Sequence, residues 1–272
     1  MKKVFRNFQV LLGVIVVAAF IFIAIFAPAL APNDPIDTDV RVRFHSPFYH
    51  EDFPLGTDDL GRCVLSRLMF GARVSLVVGI LSTLIGGCIG TVFGLLSGYY
   101  GGKLDTLIMR IIDIMLAFPG ILLALVLVTI IGQGTVSIIL ALSIFAVPTF
   151  ARLVRGSTLN TKKLEYVDAI KAVGATDFRV MFKHILPNIL TPIVVQGTIF
   201  IATSIVATAT LSFLGVGVQP PTPEWGNMLS GALQNLERAP YLLYLPGLTI
   251  FILVLSINLI GDGLRNALEP KK

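Results

Sequence analysis

The sequence predicts an all-α integral membrane protein of six transmembrane helices, with the N and C termini cytoplasmic. A pair of short cytoplasmic helices is expected between spans four and five. Composition is the first of three observations behind this. Of 272 residues, 55% are hydrophobic and 14% charged, with a mean hydropathy of +0.85, whereas soluble domains carry about 25% charged residues. The second is a series of apolar runs near the roughly 20 residues that a helix needs to cross the hydrocarbon core. The third is the placement of positive charge. Of the 21 Lys and Arg, only Arg41, Arg43, Arg62, Arg67, Arg73 and Arg238 fall in segments assigned to the outside, the bias that the positive-inside rule demands.

The net charge of +5 is therefore read by side of the membrane and gives no reason to expect nucleic acid as a partner. Cys63 and Cys88 have neither metal nor redox spacing, and a bridge between them is not expected because Cys88 lies within an apolar span. The three scattered histidines offer no metal constellation, so the reading holds no catalytic, metal or cofactor site in this chain.

The first span, about Val10 to Leu30, follows Lys2, Lys3 and Arg6, which place the N-terminus inside. A cleaved signal peptide is the rival, since Ala29-Leu30-Ala31 resembles a cleavage site. The apolar run is long for that, and Pro32 follows directly, so an anchor is the expectation. Residues 31 to about 70 form an acidic external segment. Leu60 to Arg73 is predicted as an amphipathic interfacial helix with Leu65, Leu68 and Met69 towards lipid. Residues 1–73 are thus an anchor with its external segment, and 74–272 a second unit.

The second span, about Val74 to Gly98, carries Ser82, Gly86, Gly90, Gly94 and Gly98 at intervals of four. Small residues in that register line one helix face and let a neighbouring backbone approach; a flexible, kinked helix is the alternative. Tyr99-Tyr100-Gly101-Gly102-Lys103 is a near miss for a phosphate loop. Leu104 stands at the required Ser/Thr position and Ser97 at the required first glycine. No Walker sequence occurs elsewhere, so any ATP would be hydrolysed by a partner. The third span, about Thr106 to Ile131, begins with Arg110 and Asp113 at i,i+3, predicted as a local ion pair although intramembrane charges are functional candidates. Pro119 and Pro148 predict kinks in spans three and four.

The longest polar stretch, RLVRGSTLNTKKLEYVDAIKAVGATDFRVMFKHILP (residues 152–187), is strongly basic and belongs inside. Leu164, Val167, Ile170 and Val173 predict an apolar face on a first short helix. Gly174 is expected to end it, Thr176 to cap a second helix from Asp177 to about Ile185, and Pro187 to end that one. The alternative is a basic loop lying on anionic headgroups. In span five, about Ile189 to Phe213, Gln196, Thr203 and Thr210 recur every seven residues and share a stripe. That stripe either faces a transport path or bonds to neighbouring helices. Residues 214–244 return outside through a proline-rich loop in which Trp225, Tyr241 and Tyr244 could be interfacial anchors. The last span, about Leu245 to Ile260, leads to Arg265, Lys271 and Lys272.

Several stretches resemble one family. Tyr166-Val167-Asp168-Ala169-Ile170, Gly174 and Leu186-Pro187-Asn188 look like the EAA loop of permease subunits of ABC importers, with Asp168 in place of the usual Glu and Ile170 in place of the second Ala. FPLGTDDLGRCVLSRLMFGAR (53–73), SFLGVGVQPPTPEWG (212–226) and NLIGDGLR (258–265) resemble the C-type permeases of dipeptide and oligopeptide importers, with Cys63 replacing an acid. The resemblance implies that Glu165, Tyr166, Asp168, Ala169, Gly174, Ala175, Leu186 and Pro187 form coupling helices on the ATPase. It implies a heterodimer with a homologous second permease, two cytoplasmic ATPases that bind ATP and Mg, and an external substrate-binding protein. The cargo it implies is a dipeptide or oligopeptide, with glutathione or chelated nickel as alternatives. A secondary transporter would show internal repeats and paired intramembrane charges, and an intramembrane enzyme a nucleophile–base constellation; neither pattern is evident.

Overall fold

The computed structural model describes residues 8–268, so Lys2, Lys3, Arg6, Lys271 and Lys272 lie outside the described residues. Among the described residues the chain is helical. Five helices are long and apolar enough to cross a membrane, and the count is six where a bent pair is taken as one span. Helix α1 (Phe8–Leu30) packs against α10 (Tyr241–Leu268). The approach is close: a Cβ on Gly13 would lie 2.7 Å from the Ser256 carbonyl oxygen.

The external segment is tied down by its own polar groups. Asp58 accepts from the Leu60 and Arg62 backbone N–H groups at 3.0 and 2.9 Å and pairs with Arg62 Nε at 2.7 Å. Arg67, buried, donates to the Pro35 carbonyl at 3.0 Å. Cys63 is buried, Cys88 exposed, and both are free thiols.

Helix α2 (Val64–Tyr100) runs without interruption for 37 residues, about 55 Å at 1.5 Å per residue. The predicted interfacial helix over Leu60–Arg73 is therefore corrected: from Val64 onward it is the first turns of the span. No proline interrupts the stretch, and Leu68 turns into the core with Val64, Ala72 and Trp225 instead of towards lipid.

The third span is two helices, α3 (Gly102–Ala117) and α4 (Gly120–Ile131), meeting at 91°. The kink expected at Pro119 is thus a break. Proline pushes the preceding residue out of the α region, and Phe118 is extended at φ −89°, ψ 136°. Pro148, by contrast, sits buried inside α5 (Thr135–Thr161) without ending it. The expected Arg110–Asp113 pair is also corrected: Asp113 pairs with Arg152 of α5 at 2.7 Å. Helix α3 packs on α5 through Ile112, Val147 and Ala151, which turns Asp113 towards α5.

Beyond α5 come α6 (Glu165–Ala172), a single α-turn α7 (Asp177–Arg179), and α8 (Leu190–Phe213). The external return carries α9 (Trp225–Ala232). Trp225 is fully buried and donates to the Leu68 carbonyl at 3.0 Å, so its reading as an interfacial anchor is corrected. Tyr241 likewise points inward, donating to the Thr57 carbonyl at 2.7 Å, while Tyr244 is exposed.

Candidate functional site

Three structural features converge on the end of the bundle that carries residues 152–187. The first is the contact of α2 with α5. A Cβ on Gly86 would stand 2.2 Å from the Ser143 carbonyl oxygen, one on Gly90 2.6 Å from that of Val147, one on Gly94 2.6 Å from that of Ala151, and one on Gly98 2.8 Å from Thr158 Cβ. These glycines bring the two backbones together along four turns. Ser82 points elsewhere, its hydroxyl lying 3.3 Å from that of Ser204 in α8.

The second is a polar knot where α2 and α5 end and α3 begins. Arg155 of α5 grips Asp105 of α3 with two bonds of 2.6 Å, and the Ser97 hydroxyl donates to the same carboxylate. Tyr99 is the hub. Its hydroxyl donates to Asp177 at 2.5 Å, its carbonyl accepts from Lys162 Nζ, and Lys171 Nζ lies 4.9 Å from its ring centre. Charged groups so placed anchor the loop to the helices above it through hydrogen bonds and cation–π contact. Nothing local in the sequence singles out the pairs Tyr99–Asp177 and Asp105–Arg155, because their members lie 78 and 50 residues apart along the chain.

The third is the loop itself. Helix α6 ends in a Schellman arrangement: Gly174 N–H donates to the Lys171 carbonyl at 2.9 Å and Ala175 N–H to that of Ile170 at 3.3 Å. Gly174 sits at φ +85° with open space around it. Thr176 then caps the next turn, its hydroxyl accepting from Arg179 N–H at 3.4 Å.

Two expectations are corrected here. Residues 164, 167, 170 and 173 do not share a buried face. Steps of three lag a 3.6-residue turn by about 60°, so the first and last point in opposite directions. Val167 is buried and Ile170 half-buried, whereas Leu164 and Val173 are exposed, Val173 at 85%. Nor does Pro187 end the second helix. A wide π turn (Val180–Ile185) and a tight 3-10 turn (Leu186–Ile189) carry the chain straight into α8, and Asp177–Phe213 counts as one span-length helical rod. Pro187 falls at the start of the tight turn, where its missing N–H is not needed.

Val167, Val180, Met181 and Ile185 pack with Leu95 and Tyr99. Tyr166 and Asn188 meet at 3.0 Å, and Asn188 also donates to the His184 carbonyl at 2.6 Å. Glu165, Asp168, Ala169 and Pro187 are exposed, while Ala175 and Leu186 are half-buried. Phe178 is 69% exposed, so α6 and the start of the rod present Val173 and Phe178 outward beside Lys171 and Arg179.

On α8, Thr203 is exposed, and Gln196 and Thr210 are half-buried. Gln196 lines a hollow of about 350 Å³ with Leu153, Thr191 and Arg265, which neither Thr203 nor Thr210 reaches. The Thr203 and Thr210 hydroxyls donate to the carbonyls of Ile199 and Val206 one turn back, at 3.0 and 2.8 Å.

Comparison with known proteins agrees with this architecture. A family model described as the binding-protein-dependent transport system inner membrane component matches residues 90–272. Another, the N-terminal TM domain of oligopeptide transport permease C, matches residues 1–47. The dipeptide transport system permease protein DppC of Alkalihalophilus pseudofirmus is 45% identical over 270 residues, covering 99% of this chain and 88% of the relative. The glutathione transport system permease protein GsiD of Pectobacterium atrosepticum is 51% identical over 217 residues, 80% of this chain and 72% of the relative. Among solved structures, a chain of the inward-facing MetNI methionine ABC transporter is similar in fold. Its TM-score is 0.62 at 24% identity, over 76% of this chain and 98% of that one. The protein therefore belongs to the binding-protein-dependent inner-membrane transport components, as a permease subunit of an ABC importer of the dipeptide and oligopeptide family that works with an ATPase and a substrate-binding protein.

Proposed function

We propose that this chain forms half of the transmembrane path for dipeptides or oligopeptides, as a heterodimer with a homologous second permease. An external binding protein delivers the cargo, and two cytoplasmic ATPases, which bind the ATP and Mg, drive the cycle. The near-complete match to a dipeptide permease carries this reading of the cargo. Both termini and residues 152–187 lie on the cytoplasmic side in this scheme, in keeping with the positive charge of that stretch.

The coupling step follows from the loop's mechanics. Helix α6, from Glu165 through Tyr166, Asp168 and Ala169, docks on the ATPase together with the turn at Gly174 and Ala175 and the exposed Val173 and Phe178. Because Asp177–Phe213 is one rod, a push near Phe178 is delivered through Leu186 and Pro187 to α8. The stripe of Gln196, Thr203 and Thr210 moves with it and lines the path. Its hydroxyl protons are spent on their own backbone, so the threonine oxygens remain as acceptors for a peptide's N–H groups.

Glutathione, itself a short peptide, is the second reading, favoured by the identity to a glutathione permease. Uptake of radiolabelled dialanine, a labelled pentapeptide and labelled glutathione would be measured in cells carrying the whole importer. ATP-dependent uptake of a peptide that glutathione fails to inhibit supports the first reading. Uptake of glutathione alone replaces it with the second, and uptake of none of the three refutes both.

A further inference from the structure

Helix α3 is divided lengthwise by charge. Its two acids are spent on α5, Asp105 on Arg155 and Asp113 on Arg152. Its two bases, Lys103 and Arg110, are exposed and make no ion pair or hydrogen bond among the described residues. They flank Thr106 over a shallow hollow of about 600 Å³ that Gly102 and Leu107 complete. Lys103, Leu107, Arg110 and Ile114 project within about 60° of one another around the helix axis. Leu107, Ile111, Ile114 and Phe118 continue the same outer face, all more than half exposed.

The order along the axis matters. The bases span about 10 Å at the start of α3, and the apolar row runs about 12 Å beyond Arg110. Positive charge therefore sits at the end of the bundle that holds the Tyr99–Asp177 knot, and apolar surface leads away from it into the span. That sequence of polarity is the one that a lipid presents to a membrane protein: a charged headgroup at the surface, then hydrocarbon.

We propose that α3 holds an anionic phospholipid of the leaflet on the coupling-loop side, its phosphate against Lys103, Thr106 and Arg110 and an acyl chain along Ile111, Ile114 and Phe118. The charge asymmetry selects the occupant. A permease helix would bury the apolar row but satisfy the two bases only if it carried acids in matching register, whereas one phosphate satisfies both, with the Thr106 hydroxyl as a further donor. The site would anchor the cytoplasmic half of a broken span whose other half departs at 91°, and it is independent of the cargo.

The test uses the assembled importer in nanodiscs of phosphatidylcholine with a minor fraction of phosphatidylglycerol, followed by mild detergent extraction and counting of retained lipid. The wild type should retain phosphatidylglycerol preferentially. Lys103→Ala with Arg110→Ala should lower that preference about 30-fold, each charge near the surface accounting for about fivefold. An unchanged preference in the double variant overturns the proposal. So does displacement of the lipid by excess inorganic phosphate, which would make the ligand a free anion. A third arm places a cysteine by Ile111→Cys in a chain with Cys88→Ser. Efficient cross-linking to the second permease would show that protein covers the row and would also overturn it; no cross-link, with lipid retained, supports it.

Discussion

Replacing Gly86 by alanine tests the closest approach in the seam between α2 and α5. The added methyl would lie 2.2 Å from the Ser143 carbonyl oxygen and 2.4 Å from Ala146 Cβ. Ordinary separations are about 3.3 Å for carbon against a carbonyl oxygen and about 3.5–4.0 Å for carbon against carbon. Helices α2 and α5 must therefore part by about 1 Å at that point. A gap of that size forfeits up to about half of each dispersion contact in the seam. Overpacking a close contact costs about 1–3 kcal/mol, and the struck atom is backbone, so the upper end applies. Alanine returns about 1 kcal/mol over glycine as a helix former, leaving a net loss of about 2 kcal/mol. Gly156 of α5 is the control: nothing lies within 4 Å of its Cβ position, so Gly156→Ala should gain up to about 1 kcal/mol. Unfolding of the purified chain by SDS in mixed micelles, followed by emission of its single tryptophan, Trp225, which is fully buried, reads both. If the two variants agree within about 0.5 kcal/mol, the size of an ordinary surface effect, the seam does not limit stability and the reasoning fails.

Gly174→Val forces a β-branched residue to φ +85° with no steric clash, costing about 1–3 kcal/mol locally. The importer should still assemble and hydrolyse ATP while uptake falls, and normal coupled uptake would remove the turn at Gly174 from the mechanism. Thr203→Leu alters an exposed side chain bonded only to its own helix, so uptake should drop with stability unchanged; lowered stability with normal uptake would place Thr203 in packing instead. Glu224 is buried with Oε1 unpartnered, and burial raises its carboxyl above the ordinary value. The folded state then holds this proton more tightly than the unfolded chain, so stability is greater below the unfolded value and falls as pH rises towards the folded one. Glu224→Gln should remove up to about 1.4 kcal/mol per pH unit from that descending limb, and an unchanged slope in SDS unfolding across pH would refute it.

Much of this molecule is written in local pattern. The lengths and hydropathy of the spans, the four-residue interval from Ser82 to Gly98, and the glycine after Val173 are short-range features. Helix periodicity and backbone sterics act within a few residues, so such features can be read without knowing what packs against them. The resemblance of residues 53–73 and 212–226 to peptide permeases is likewise carried by residue identity alone. What the sequence could not disclose is who meets whom. Asp113 has a base three residues away and chooses Arg152, 39 positions on, because packing of α3 on α5 turns it there. Trp225 has the composition of an interfacial anchor and is instead locked to Leu68 across the bundle. Pro187 lies where a helix should stop, yet successive wide and tight turns pass it into α8. For Asp113 and Trp225 the deciding energy comes from a partner distant along the chain, which only the assembled helices bring into reach.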